Sequence, residues 1–125
     1  GLQVILARPP GTTDPVRLRD LDLSHNDLGD DGARVLATSP HLTGLRTLRL
    51  AGCGIGNTGA RALAESPYLN RLVELDLGNN PAGDPGFQPF LEPSHSRGLR
   101  KLVYSEVGLS DRMRRALARL FHGRR

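Results

Sequence analysis

Residues 18–26 read Leu-Arg-Asp-Leu-Asp-Leu-Ser-His-Asn, and the stretch recurs without gaps as LRTLRLAGC from Leu45, LVELDLGNN from Leu72 and LRKLVYSEV from Leu99. Each start lies 27 residues after the last. The register extends well past the leucines. Leu28, Ile55, Ala82 and Leu109 share one position, Asp30, Asn57, Asp84 and Asp111 another, and Leu36, Leu63, Phe90 and Leu117 a third. A fixed period of this length is the mark of a repeat architecture. Within a unit, leucines at offsets 0, 3 and 5 make a short strand whose apolar side chains face one way. The Asp/Asn column then sits where a helix N-cap is wanted, ahead of apolar residues at helical spacing such as Ala33, Leu36 and Ala37.

One such unit cannot bury its own leucine face, so the copies must stack. Strand, crossover helix and strand impose parallel pairing and a right-handed path. The reading is a right-handed α/β solenoid with a curved parallel sheet on the concave side and helices on the convex side. The whole chain is read as one domain, with repeats over 18–44, 45–71, 72–98 and 99–125. Leu6-Ala7-Arg8-Pro9-Pro10 echoes Leu36-Ala37-Thr38-Ser39-Pro40, so residues 1–17 read as the remnant of an upstream repeat, and the sequence as an excerpt of a longer chain.

The pattern LxxLxLxxN followed by an LGDxGAxxLAxSP-like half resembles the leucine-rich repeat family, in its ribonuclease-inhibitor-like class. The resemblance runs from Leu18 to about His122 and is similar to tandem repeats of large bacterial leucine-rich repeat proteins. It implies a non-enzymatic module that binds a protein partner on the concave face.

Two units depart from the pattern. Pro81, Pro85, Pro89 and Pro93 crowd the helical half of the third. Pro85 suits a first helical position, but Pro89 removes a backbone donor one turn later, so a short or distorted helix is expected. In the fourth, Ser110 or Asp111 caps a helix with Met113, Ala116, Leu117, Leu120 and Phe121 on one stripe and Arg112, Arg114, Arg115 and Arg119 largely off it. That is the appearance of a terminal capping helix. At offset 8, Asn26 and Asn80 are placed to bond backbone groups in the bend after the strand, while Cys53 and Val107 occupy that column in the other two units.

Composition closes off other classes. The 125 residues are 38% hydrophobic and 24% charged, too apolar for a disordered tail, and no window approaches the roughly 18 to 20 apolar residues of a bilayer span. The single cysteine, Cys53, allows no internal disulfide and makes the cytoplasm the default compartment. Net charge is +4, but residues 1–96 carry 8 Arg/Lys against 11 Asp/Glu and residues 97–125 carry 9 against 2. The basicity therefore belongs to the C-terminal end.

Chemical motifs dissolve into the repeat. Gly54-Ile55-Gly56-Asn57-Thr58-Gly59 is a literal GxGxxG between a strand and a helix, with Glu74 twenty residues beyond Gly54. Yet Gly56 and Gly59 have register partners in Gly29 with Gly32 and Gly83 with Gly86, and only Gly54 is extra. His41, His95 and His122 share a column that Tyr68 interrupts, so no metal site is read there. Cys53 reads as a small buried residue and not as a nucleophile. The carboxylate pairs Asp20/Asp22 and Glu74/Asp76 lie near Arg46, Arg49, Arg100 and Lys101, which favours cross-strand neutralisation over acid catalysis. No catalytic arrangement, cofactor or small-molecule substrate follows.

The candidate binding surface is the row of side chains alternating away from the leucines, Asp20, Asp22, His25, Thr47, Arg49, Glu74, Asp76, Asn79, Lys101 and Val103, flanked by Arg19, Arg46 and Arg100. Its mixed signs suit a protein partner better than a nucleic-acid backbone, and it has no aromatic ladder for stacking bases. Two alternatives remain open: a regulatory module of a GTPase-activating or sensor protein, and attachment of the basic C-terminal helix to an acidic surface.

Overall fold

The computed structural model describes residues 18–92 and 98–121. The proposed upstream remnant, Pro93, His95 and His122 lie outside the described residues. Four strands, β1 (Asp20–Asp22), β2 (Thr47–Arg49), β3 (Glu74–Leu77) and β4 (Lys101–Tyr104), form one parallel sheet in sequence order. They alternate with helices α1 (Gly29–Ala37), α2 (Asn57–Ala64), α3 (Asp84–Phe87) and α4 (Asp111–Leu120). Parallel neighbours in sequence order require each connection to cross over and return to the same end of the sheet, which the helical half of each unit supplies.

The register follows the 27-residue period without slippage. Asp20 pairs with Thr47, Thr47 with Glu74 and Glu74 with Lys101, so Leu21, Leu48, Leu75 and Leu102 stand on successive rungs. Backbone bonds extend the ladder beyond the strands. The Arg46 and Thr47 amides both donate to the Arg19 carbonyl, at 2.8 and 3.0 Å, and the His25 amide donates to the Ala51 carbonyl at 2.7 Å. A one-residue slip would turn every leucine outward, so burial of the leucine face holds the pairing in place.

The core lies between sheet and helices. Leu48, Leu50, Leu75, Leu77 and Leu102 meet Ala33, Leu36, Ala60, Leu63 and Leu117, all buried. Small residues set the spacing of the helical layer. A Cβ on Gly59 would stand 2.9 Å from the Ala33 Cβ, closer than real Cβ contacts come, so α1 and α2 pack as tightly as a glycine against an alanine permits.

In the third unit the helix is a single turn. α3 ends at Phe87 and a 3-10 turn over Gln88–Leu91 carries Pro89, in line with the lost backbone donor. Aromatic bulk takes the place of helix length. Phe87 packs against Phe90 at 5.8 Å between ring centroids and edge-on against Tyr104 at 6.0 Å. A void of about 20 Å³ remains beside Phe90, bounded by Leu63, Leu72, Leu75 and Leu99 among others.

In α4, Ser110 is the cap, its hydroxyl accepting from the Met113 amide at 3.1 Å. Met113, Leu117 and Phe121 are buried, but Leu120 is 50% exposed, which corrects the apolar stripe expected from spacing. Its register partners are Ser39 and Ser66, small residues that bond back to backbone carbonyls, Val35 and Ala37 respectively. A leucine there has no such contact, and the chain leaves the helix at the next residue.

Candidate functional site

The Asp/Asn column does not cap its own helices. This is the main correction to the sequence reading. The capping positions of α2 and α3 are Gly56 and Gly83, which have no side chain to offer. Asp30 reaches across from the preceding repeat instead, its Oδ1 accepting from the Gly56 amide at 2.7 Å and the Gly59 amide at 2.9 Å. Asn57 repeats the arrangement, accepting from Gly83 at 2.8 Å and Gly86 at 3.0 Å. The starts of α2 and α3 are thus satisfied by the preceding repeat, a contact of the kind usually worth about 1 kcal/mol. The approach also explains the paired glycines, since a Cβ on Gly59 would lie 2.7 Å from Asp30 Oδ1. It disposes of the nucleotide motif as well: the amides that would cradle a phosphate at the start of α2 already hold an internal carboxylate.

The last link differs. Ser110 replaces glycine and caps α4 itself, while Asp84 accepts from both its amide, at 2.9 Å, and its hydroxyl, at 2.7 Å. The Ser110 amide holds the Asp84 carboxyl below its ordinary value of 3.8, the Ser110 hydroxyl adds to this, partial desolvation opposes it and Arg112 contributes least. A depressed carboxylate stabilises the fold above its unfolded value, and that contribution disappears as pH falls through the folded value. The melting-temperature gap between wild type and Asp84→Ala should therefore be open at pH 7 and close below pH 3.8. A melting series from neutral to acid pH checks this, and a gap that widens on acidification contradicts it.

The outward row of the sheet is open to solvent. Among the described residues helices cover only the leucine side, and Asp20, Asp22 and Lys101 are exposed while Thr47, Arg49, Glu74, Asp76 and Val103 are half-buried beside their neighbours. Cross-strand neutralisation is narrower than expected from the sequence. Among the described residues the one ion pair on this face joins Arg49 to Glu74 at 3.4 Å. Asp22 and Asp76 do a different job, each accepting from the amide two residues on, Ser24 at 3.0 Å and Gly78 at 2.9 Å, and so shaping the turn that ends the strand. The Asp22 carboxyl is accordingly lowered, first by the Ser24 amide and then by the Ser24 hydroxyl, with smaller help from Arg49 and His25.

His25 and Asn79 occupy the left-handed region, at φ 65° and 55°, as does Gly52 at the same repeat position. They belong to the bend after each strand as much as to the face. A Cβ on Gly52 would meet the His25 Nδ1 at 2.9 Å, so the imidazole lies across the next rung. Arg19, Arg46 and Arg100 are exposed at the other end of the strands, one residue before them.

Below the bend, Asn80 is buried and fully used. Its side-chain oxygen accepts from the Cys53 and Ile55 amides at 2.9 and 3.0 Å, and its nitrogen donates to the carbonyls of Leu50 at 2.8 Å and Gly78 at 3.1 Å. On the preceding rung Cys53 fills half of this role, its thiol donating to the Leu23 carbonyl at 3.2 Å. Asn26 is exposed and, among the described residues, bonds only within its own unit, to Leu23 and Ser24. Val107 stands 87% exposed in the fourth.

A family model described as Leucine Rich repeat matches residues 18–37 and 39–64. These two units are leucine-rich repeats. The match covers the first unit's strand and helix and the second up to the end of α2, where the helical half has its regular form. The third and fourth units continue the same strand register, although prolines and a valine disturb the sequence pattern there. No curated protein matches the chain. Leucine-rich repeats are generally protein-interaction modules and typically not enzymes. Among the described residues no group of His, Cys, Asp or Glu is assembled to hold a metal ion, and no helix is long and apolar enough to cross a membrane.

Proposed function

We propose that the open face of the sheet binds a protein partner and that the chain acts by recognition, not catalysis. The observation that carries this is the uncovered sheet. Parallel sheets are ordinarily buried on both faces, because crossover helices pack on each side. Among the described residues every helix packs on the leucine side, and the other side offers a row of charged and polar groups whose backbones are fixed by inter-rung hydrogen bonds. Such a surface is preorganised, and its mixed signs select a partner of complementary pattern. Four rungs at about 4.8 Å make a face roughly 20 Å wide. A standard interface uses about 20 to 30 residues a side, so these repeats supply a portion of a binding site.

Reversing two charges on this face, Asp20→Lys with Arg49→Glu, is the test. Both positions are solvent-accessible and the Arg49 pair is a surface one, so stability should change by less than about 1 kcal/mol. In a quantitative pull-down, at least one protein retained by the wild type should fall at least tenfold with this variant, yet survive the control Arg112→Glu with Arg115→Glu on α4. Full retention of every partner by the face variant would count against the proposal.

A further inference from the structure

A second surface lies at the other end of the strands, where the chain returns from each helix to the sheet. A groove of about 620 Å³ opens there, on the scale of a ligand cleft. Three guanidiniums line it: Arg19 ahead of β1, Arg46 ahead of β2, and Arg71 from the return loop before β3. The Arg46 amide bonds the Arg19 carbonyl, so these two arginines stand on adjacent rungs, about 4.8 Å apart along the sheet. On the third rung the arginine column is interrupted by Val73, and Arg71 brings the third positive charge to the groove from two residues earlier.

The charge is not neutralised from within. Among the described residues Arg34, Arg49, Arg61 and Arg114 have carboxylate partners, whereas Arg19, Arg46 and Arg71 have none. Among the described residues that line the groove none is acidic. Gathering three like charges around one concavity raises the local potential, because low-dielectric walls focus the field, and this favours an anionic occupant. Guanidinium forks match carboxylates two bonds at a time, in a way that a lysine does not.

Thr43 and Asn70 add a hydroxyl and a side-chain amide, and Pro40 and Pro67 add apolar wall. Hydroxyl and amide groups suit a peptide backbone. Among the described residues the one aromatic ring that lines the groove is the His41 imidazole, which makes no ladder for successive bases, and three guanidiniums fall short of the roughly six to ten phosphate contacts behind strongly salt-dependent nucleic-acid binding. We propose that this groove binds an acidic peptide segment of a partner protein, with its carboxylates between Arg19, Arg46 and Arg71. The proposal does not depend on the open sheet face being used.

The test uses the whole chain and a fluorescently labelled octaglutamate peptide, read by anisotropy at low and physiological salt. Saturable binding is expected. Arg46→Gln with Arg71→Gln should weaken it at least tenfold, while Arg112→Gln with Arg115→Gln, the same change of charge on α4, should weaken it less than twofold. Asp20→Lys with Arg49→Glu should leave the affinity within twofold, which separates this groove from the sheet face. Matching thermal melts establish that the variants are folded. Absence of peptide binding, equal weakening by the two glutamine variants, or tighter binding of an oligothymidylate of equal charge through the same arginines would overturn the proposal.

Discussion

Replacing Asn80 by alanine should lower the unfolding free energy by about 3 kcal/mol. The side chain is buried and makes four hydrogen bonds, three of them to the preceding rung, at the Cys53 and Ile55 amides and the Leu50 carbonyl. Removing it strands those groups away from water, and each buried unsatisfied group costs about 1–3 kcal/mol before local relaxation. Asn26→Ala is the internal comparison. Asn26 holds the same repeat position but is exposed and, among the described residues, bonds only its own loop, so its loss should cost under about 1 kcal/mol. Urea denaturation of the two variants decides the matter, and equal losses would mean that Asn80 does not bind one repeat to another.

The second large effect is expected at Leu75. It is 1% exposed, stands between Leu48 and Leu102 on neighbouring rungs, and borders the small void beside Phe90. Leu75→Ala should cost about 3–4 kcal/mol, because a rigid surround relaxes little into the space left behind. Against a total stability of about 5–15 kcal/mol that is a large fraction. Leu21→Ala, on the half-buried first strand, should cost roughly half as much. Chemical denaturation monitored by circular dichroism gives both values. A Leu75 variant no less stable than the Leu21 variant would contradict the graded burial along the spine.

Most of the fold was legible in the sequence because the leucine column, the strand period and the proline cluster are local signals. Leu48 and Leu75 could be placed from spacing alone, and Pro85 with Pro89 announced the one-turn helix of the third unit. What escaped were contacts between units. Asp30 and Asn57 sit at the start of helices, so a local reading makes them caps of those helices. Their partners are amides 26 to 29 residues later. The paired glycines were the available clue: a helix start with glycine at both the capping and third positions offers no cap of its own and leaves room for a neighbour's.

The candidate site was only partly legible. The alternation of β1 to β4 put Asp20, Thr47, Glu74 and Lys101 on one open row, and pairing places them on adjacent rungs. Sequence reasoning gave Asp22 and Asp76 to cross-strand neutralisation, because their bonds to the amides of Ser24 and Gly78 depend on how tightly each strand end turns. Arg71 was passed over since it lies outside the column of Arg19, Arg46 and Arg100. Only the return of each loop to the sheet brings it beside them.

The stacking of units is tested most directly by through-space contacts between leucine methyl groups in a selectively labelled sample. Leu48 should show contacts to Leu21 and Leu75 on either side, Leu75 to Leu48 and Leu102, and no contact should join Leu21 to Leu75, two rungs and about 9.6 Å apart. Methyl contacts that skip a rung, or their absence between Leu48 and Leu75, would contradict the account.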